Sequence, residues 1–188
     1  MRKDFGTKTV VTPLPVLIIG TYDENGKADA MNVAWGGQCS EKCVAINIGH
    51  VRKTRDNITL KKAFTVSFAT VDTMVMSDYF GIASGFKENK IEKAGAHVLP
   101  SAHVDAPIIE EYPLTLECRL LEMTETETGE IRIVGEVVNM SADEKILDAE
   151  GRIDLDKLQP IMFDSAALTY RAIGHTVGSA FTAGKLLK

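Results

Sequence analysis

The sequence predicts a mainly β protein with helices, folded as a closed or nearly closed antiparallel barrel. Three observations point there. Short apolar or alternating runs recur along the chain, Asn25-Gly26 separates the first two, and the helical stretches are brief and lie between strands. The first run, Val16 to Ile19, leads into the turn cluster Asp23-Glu24-Asn25-Gly26. Ala28 to Trp35 returns from it, and Asn-Gly between two such runs is a strong hairpin signal. Cys43 to Ile48 alternates Val44, Ile46 and Ile48 against Ala45 and Asn47. Thr54 to Lys62 reads as a helix with Thr54 as candidate N-cap. Phe64 to Thr70 reads as a strand, and Asp72 to Tyr79 and Asn89 to Lys93 as short helices. Leu114 to Met123 and Ile131 to Met140 form a long pair joined by the polar segment Thr124 to Glu130. The tail, Leu168 to Leu187, mixes a helical turn with Gly174, Gly178 and Gly184.

A chain of 188 residues with no repeat or low-complexity linker reads as one domain, residues 1–188. Its net charge of −5 and pI near 5.4 argue against a nucleic-acid partner, which would select a basic face. No run approaches the ~18–20 apolar residues that span a bilayer. The start, Met1-Arg2-Lys3-Asp4, lacks an apolar signal core, so a cytoplasmic location is expected. Cys39, Cys43 and Cys118 are odd in number and carry no paired CxxC, so neither a disulfide framework nor a zinc site is expected. All three are read as structural, with Cys118 a small core residue of an alternating run.

Three segments carry chemistry. On the return strand, alternation puts Asp29, Met31, Val33 and Trp35 on one face and Ala28, Ala30, Asn32 and Ala34 on the other. The second face is nearly bare, which suits a flat ligand close to main chain, or else a neighbouring strand packed on Ala. Arg52-Lys53-Thr54 follows a strand and opens a helix. Free N–H groups, two cations and a hydroxyl suit a phosphate there; a capped surface helix would look the same. Phe80-Gly81-Ile82-Ala83-Ser84-Gly85-Phe86-Lys87, followed by Lys90, is a Gly-rich loop matching neither a Walker loop nor a dinucleotide fingerprint. It reads equally as a connector or a ligand loop. The scattered histidines form no metal motif, no GxSxG elbow occurs, and no acid–base pair converges. These residues describe a barrel with a phosphate-bearing flat ligand.

Together they resemble the flavin reductase-like family with the FMN-binding split barrel, and within it the flavoredoxin branch. The likeness runs through Leu14-Pro15-Val16 to Gly20-Thr21, Gly26 to Trp35, Thr54 to Ile58 and Phe80 to Lys90. Gly135-Glu136-Val137, Leu158 to Asp164 and Tyr170 to Gly184 extend it. The resemblance implies a six-stranded antiparallel split β-barrel, a homodimer, and FMN near the dimer interface. It implies electron transfer through that flavin, with NADH or NADPH as donor or, alternatively, a protein electron partner. It places Trp35 beside the flavin, Asp29 where relatives carry Asn, and Thr54 and Lys90 at the phosphate. Ser84 and Gly85 would close over the cofactor, and Phe163 matches a late aromatic. Met31, Asn32, Val33, Ala34 and Asn47 complete the expected contacts, with Arg52 and Lys53 adding charge. Glu130 stands where many relatives have His, leaving open whether His175 or Arg132 takes that role. A flavin carries its own hydride chemistry, which accounts for the missing catalytic dyad. Trp35, opposite the Ala face, is expected at the ring's edge; the other reading is a core Trp at the barrel end.

Overall fold

A computed structural model describes residues 1–187. A two-residue strand β1 (Leu14–Pro15) precedes the first hairpin, β2 (Leu17–Tyr22) and β3 (Ala28–Val33). Gly26 takes φ +74°, and the Asp23 carboxylate accepts from the Asn25 and Lys27 N–H groups. That is the left-handed geometry that glycine supplies at a hairpin tip. A short β4 (Gly36–Gln38) then pairs with β5 (Cys43–Gly49). Helix α1 (Lys53–Lys61) leads to β6 (Ala63–Phe68), followed by α2 (Met74–Ile82) and α3 (Lys90–Ala94). The small pair β7 (Val98–Pro100) and β8 (Pro107–Ile109) comes before the long hairpin β9 (Leu114–Glu125) and β10 (Glu130–Ala142). After α4 (Leu155–Leu158), β11 (Ile161–Asp164) and β12 (Thr169–Ala172) form a three-stranded sheet with β1.

The main sheet is antiparallel, in the order β3-β2-β6-β9-β10-β5-β4. It curls until its ends nearly meet, leaving a seam between β3 and the β5–β4 edge. The expected six strands are therefore seven, because Gly36–Gln38 adds a short edge strand. Sequence alternation passes over two successive glycines, which present no side chain to alternate. Inside the curl, Leu17, Ile19, Met31, Val33, Ile46, Ile48, Phe64, Val66, Cys118 and Ile133 form the core. One bulge in β9, at Leu121, and one in β10, at Val138, let the long hairpin bend around this core. A second cluster, with Ile18, Ala30, Phe80, Ile109 and Tyr112, lies outside the sheet under α2 and α3.

Several local expectations shift. Helix α1 is capped by the extended Arg52, with no side-chain cap bond, while Thr54 is buried inside the first turn. Its side chain thus belongs to the site rather than to helix initiation. The helix is held instead by the buried Asn57, whose amide donates to Thr21 Oγ1 at 2.9 Å. The second helix begins and ends later than its pattern suggested, and the third runs from Lys90 with Asn89 as N-cap. The tail makes strand β12 before its helical turn, Ala183–Leu187. Cys118 is buried, and burial pushes its thiol up to about 12. Cys39 is exposed, against the expectation of a structural role, because it follows the edge strand β4 into a surface turn.

Candidate functional site

Two adjoining clefts open on the outside of the barrel at the seam. The first, of about 180 Å³, lies between β3, the start of α1 and the loop after α2. Its walls include Asp29, Arg52, Lys53, Thr54, Ser84, Gly85 and Lys90. The second, of about 190 Å³, is lined by Asn32, Val33, Ala34, Trp35 and Asn47. Met31, Arg52 and Gly81 belong to both. With the single exception of Phe163, every expected site residue lines one of these clefts. Phe163 lies in β11, packs on Tyr170 with ring centroids 5.9 Å apart, and belongs to the cluster under the helices. Its aromatic type serves packing there.

The cations divide into two kinds. Lys90 is almost fully buried, 3.4 Å from Asp29 Oδ1, and its Nζ donates to the Ala30 carbonyl. Burial pushes the Asp29 carboxyl up and the Lys90 ammonium down, and each partner's charge opposes the other's shift. Lys90 is thus paired within the fold, and it lines the first cleft beside its partner Asp29. Lys53 pairs with Asp23 at 3.1 Å. Burial would raise the Asp23 carboxyl, but hydrogen bonds from the Lys27 N–H and from Lys53 hold it low. Arg52 makes no ion pair among the described residues. Its guanidinium lies over Gly49 and donates to the Val51 carbonyl at 2.9 Å. It stands where the two clefts meet.

The loop after α2 closes directly on Asp29. A Cβ at Gly85 would lie 2.6 Å from Asp29 Oδ1, so only glycine permits this approach. Asp29 Oδ2 has no hydrogen-bond partner among the described residues.

The bare face of β3 does not await a flat ligand. Ala30 packs beneath Phe80, Asn32 Nδ2 donates to the Ser77 carbonyl at 2.9 Å, and Gly81 sits close to Asn32 Cβ. Small side chains there admit helix α2, which covers the face on which a flat ligand was expected. Trp35 is 57% exposed at the rim of the second cleft, which excludes a core Trp. Asn47 holds the seam's other bank, its N–H donating to the Trp35 carbonyl at 2.7 Å.

Glu130 pairs across from Gly49, and its carboxylate accepts from the Thr128 and Thr126 hydroxyls, which hold its pKa low. Arg132 faces Asn47 across the ladder, and His175 is exposed in the tail. Ile48, Gly49 and Val51, which also line the clefts, escaped the sequence reading. Their only signal is adjacency to Arg52. A larger apolar cavity, about 400 Å³, opens at the other end of the barrel among Leu17, Val44, Val66, Phe68, Leu116 and Val137. No group of His, Cys, Asp and Glu fit to hold a metal occurs among the described residues.

Comparison with known proteins matches this architecture. Residues 10–169 fit the model of the flavin reductase like domain. The flavoredoxin of Desulfovibrio vulgaris (Miyazaki F) superposes with TM-score 0.93 at 32% identity, covering 98% of this chain and 100% of that one. A flavoredoxin from Methanosarcina acetivorans superposes with TM-score 0.91 at 26% identity, covering 100% of both chains. An uncharacterized protein of Archaeoglobus fulgidus is 32% identical over 116 residues, 61% of this chain and 64% of its own length. The fold, the seam and these matches agree: the chain belongs to the flavin reductase-like family, as an FMN-binding-type split barrel.

Proposed function

We propose that this chain is a flavin-dependent oxidoreductase that holds FMN in the paired clefts, accepts electrons from NADH or NADPH and passes them on. The observation that carries the reading is Arg52, an unpaired cation where a hydroxyl-lined cleft meets a Trp-rimmed one. On this reading Arg52, Thr54 and Ser84 hold the phosphate, with the N–H groups at the start of α1. The partnerless Asp29 Oδ2 supplies a buried acceptor beside a hydroxylated chain. Trp35 and Asn47 border the ring and limit water. Lys90 positions β3 and the Gly85 loop from within. The bound flavin supplies the hydride and electron chemistry, and no side-chain dyad is required.

The same reading makes the protein a cytoplasmic homodimer. Each cleft falls below the roughly 300–1,000 Å³ of typical ligand pockets, so a second copy closing over the seam would complete the site. Exposed Val51, Ile82 and Phe86 beside the clefts supply apolar surface for that contact. The test is direct. Purified protein should be yellow, release FMN on denaturation, sediment as two chains, and bleach anaerobically with NADH or NADPH. A colourless protein that takes up no FMN on titration would end the proposal. Trp35 at the surface also favours a second reading, an FMN carrier reduced by a protein partner. Yellow protein bleached by dithionite but by neither nucleotide would select that version.

A further inference from the structure

The hairpin between β4 and β5 holds a feature that flavin binding leaves unused. Gln38 pairs with Val44 in the ladder, so the next opposed residues are Cys39 and Cys43. The Cys39 N–H donates to the Cys43 carbonyl at 2.9 Å, extending the pairing to these two. Opposed residues of such a hydrogen-bonded pair have Cα atoms ~5.5 Å apart and side chains on one face. A disulfide needs Cα atoms ~4.4–6.8 Å apart, and this spacing falls within that window, so a small closing of the hairpin tip would bring the two sulfurs together. Both thiols are free, with Cys39 exposed and Cys43 half-buried. On β5, Val44 and Ile46 point into the core, which turns Cys43 outward toward its opposite number. The third thiol, Cys118, is fully buried in the core, and burial, with a smaller effect from the neighbouring Cys43, raises its pKa.

We propose that Cys39 and Cys43 form a reversible dithiol–disulfide pair, oxidised by low-molecular-weight disulfides of the glutathione class. The exposed Cys39 thiolate attacks the small disulfide, forming a mixed disulfide and releasing one small thiol. The Cys43 thiolate then attacks the Cys39 sulfur and releases the second. Two protein thiols are oxidised to one disulfide, and one small disulfide is reduced to two thiols. The linkage staples the hairpin that continues from Trp35 and walls the apolar cavity.

Lys42 lies between the two cysteines, which makes the test clean. The full-length protein, as purified with its flavin, is equilibrated in oxidised and reduced glutathione mixtures and alkylated. It is then digested with trypsin without reductant. The peptide ending at Lys42 and the one beginning at Cys43 should remain covalently joined. They should separate on reduction, and the linkage should titrate with the glutathione ratio. Cys39→Ser should yield only free or glutathionylated Cys43, and Cys118→Ala should leave the linkage unchanged. Three outcomes would overturn the proposal: separate glutathione adducts on the two cysteines, a crosslink between two chains, or thiols that stay free in the most oxidising mixture.

Discussion

The two ends of the barrel differ in a way that cavity size does not reveal. The end bearing Leu17, Val66 and Phe68 holds the larger space, but its walls are mainly apolar, with Gln38, Ser40, Glu41 and Lys42 of the β4–β5 hairpin at one side. The seam end holds two smaller clefts where a guanidinium, hydroxyls and a partnerless carboxylate oxygen converge. Chemistry gathers where the sheet fails to close, because an unclosed sheet leaves backbone and polar side chains needing partners. The apolar end stabilises the fold, and the seam end spends stability on buried charge.

The largest test of this contrast is Lys90→Met. It strands the Asp29 carboxylate in a buried site, and breaking such a pair costs about 3–5 kcal/mol. Denaturant titration of the flavin-free protein should register that loss, and the double variant with Asp29→Leu should recover most of it. A Lys90→Met protein of native stability would mean the pair is not buried as described. At the other end, Leu17→Ala should cost about 2–5 kcal/mol. Flavin affinity should not change, because Leu17 lines only the apolar cavity.

Arg52→Met should show the reverse. Folding stability should hold, while FMN affinity falls by about 1.5–3 kcal/mol, the worth of a charged hydrogen bond. Riboflavin, lacking phosphate, should bind the variant as it binds wild type. Equal losses for both ligands in fluorescence titrations would remove Arg52 from the phosphate. Trp35→Ala should change the melting temperature of the apo-protein little, since the side chain is mostly exposed. Flavin fluorescence quenching should change clearly, and a large apo destabilisation with unchanged quenching would contradict the rim position.

The smallest effect belongs to His97, which lies away from both ends and bonds Glu111 at 2.8 Å. That contact raises its pKa above 6.5. The folded state therefore binds the proton more tightly than the unfolded chain. The pair's contribution is complete below the unfolded value and fades as pH rises through the folded one. Melting curves of His97→Gln and wild type should differ slightly in acid and coincide in alkali.

Much of this was legible in the residues. Asn25-Gly26 fixed the hairpin because its turn chemistry is local, and the long pair around Thr124–Glu130 followed from alternation. Arg52-Lys53-Thr54 and Ser84-Gly85, read separately in the sequence, line one cleft. What the sequence hid is tertiary. Nothing local says that Lys90 folds inward onto Asp29, since a lysine's partner is set by the loop that carries it. The bare face of β3 carried a true signal of close approach with two readings, a ligand or a neighbouring strand, and neither took the place: helix α2 did. Phe163 was placed by likeness alone, and in this chain its packing partner is Tyr170.

The seam has one more consequence. β3 ends its sheet, and an end strand offers unpaired backbone to any passing chain, an invitation to runaway association. Here that border is short and crowded by Trp35, Arg52 and Gly81, with α2 roofing its outer face. The surface that recognises a ligand is thus also the stopper that keeps the sheet from growing, so the evolution of one constrains the other.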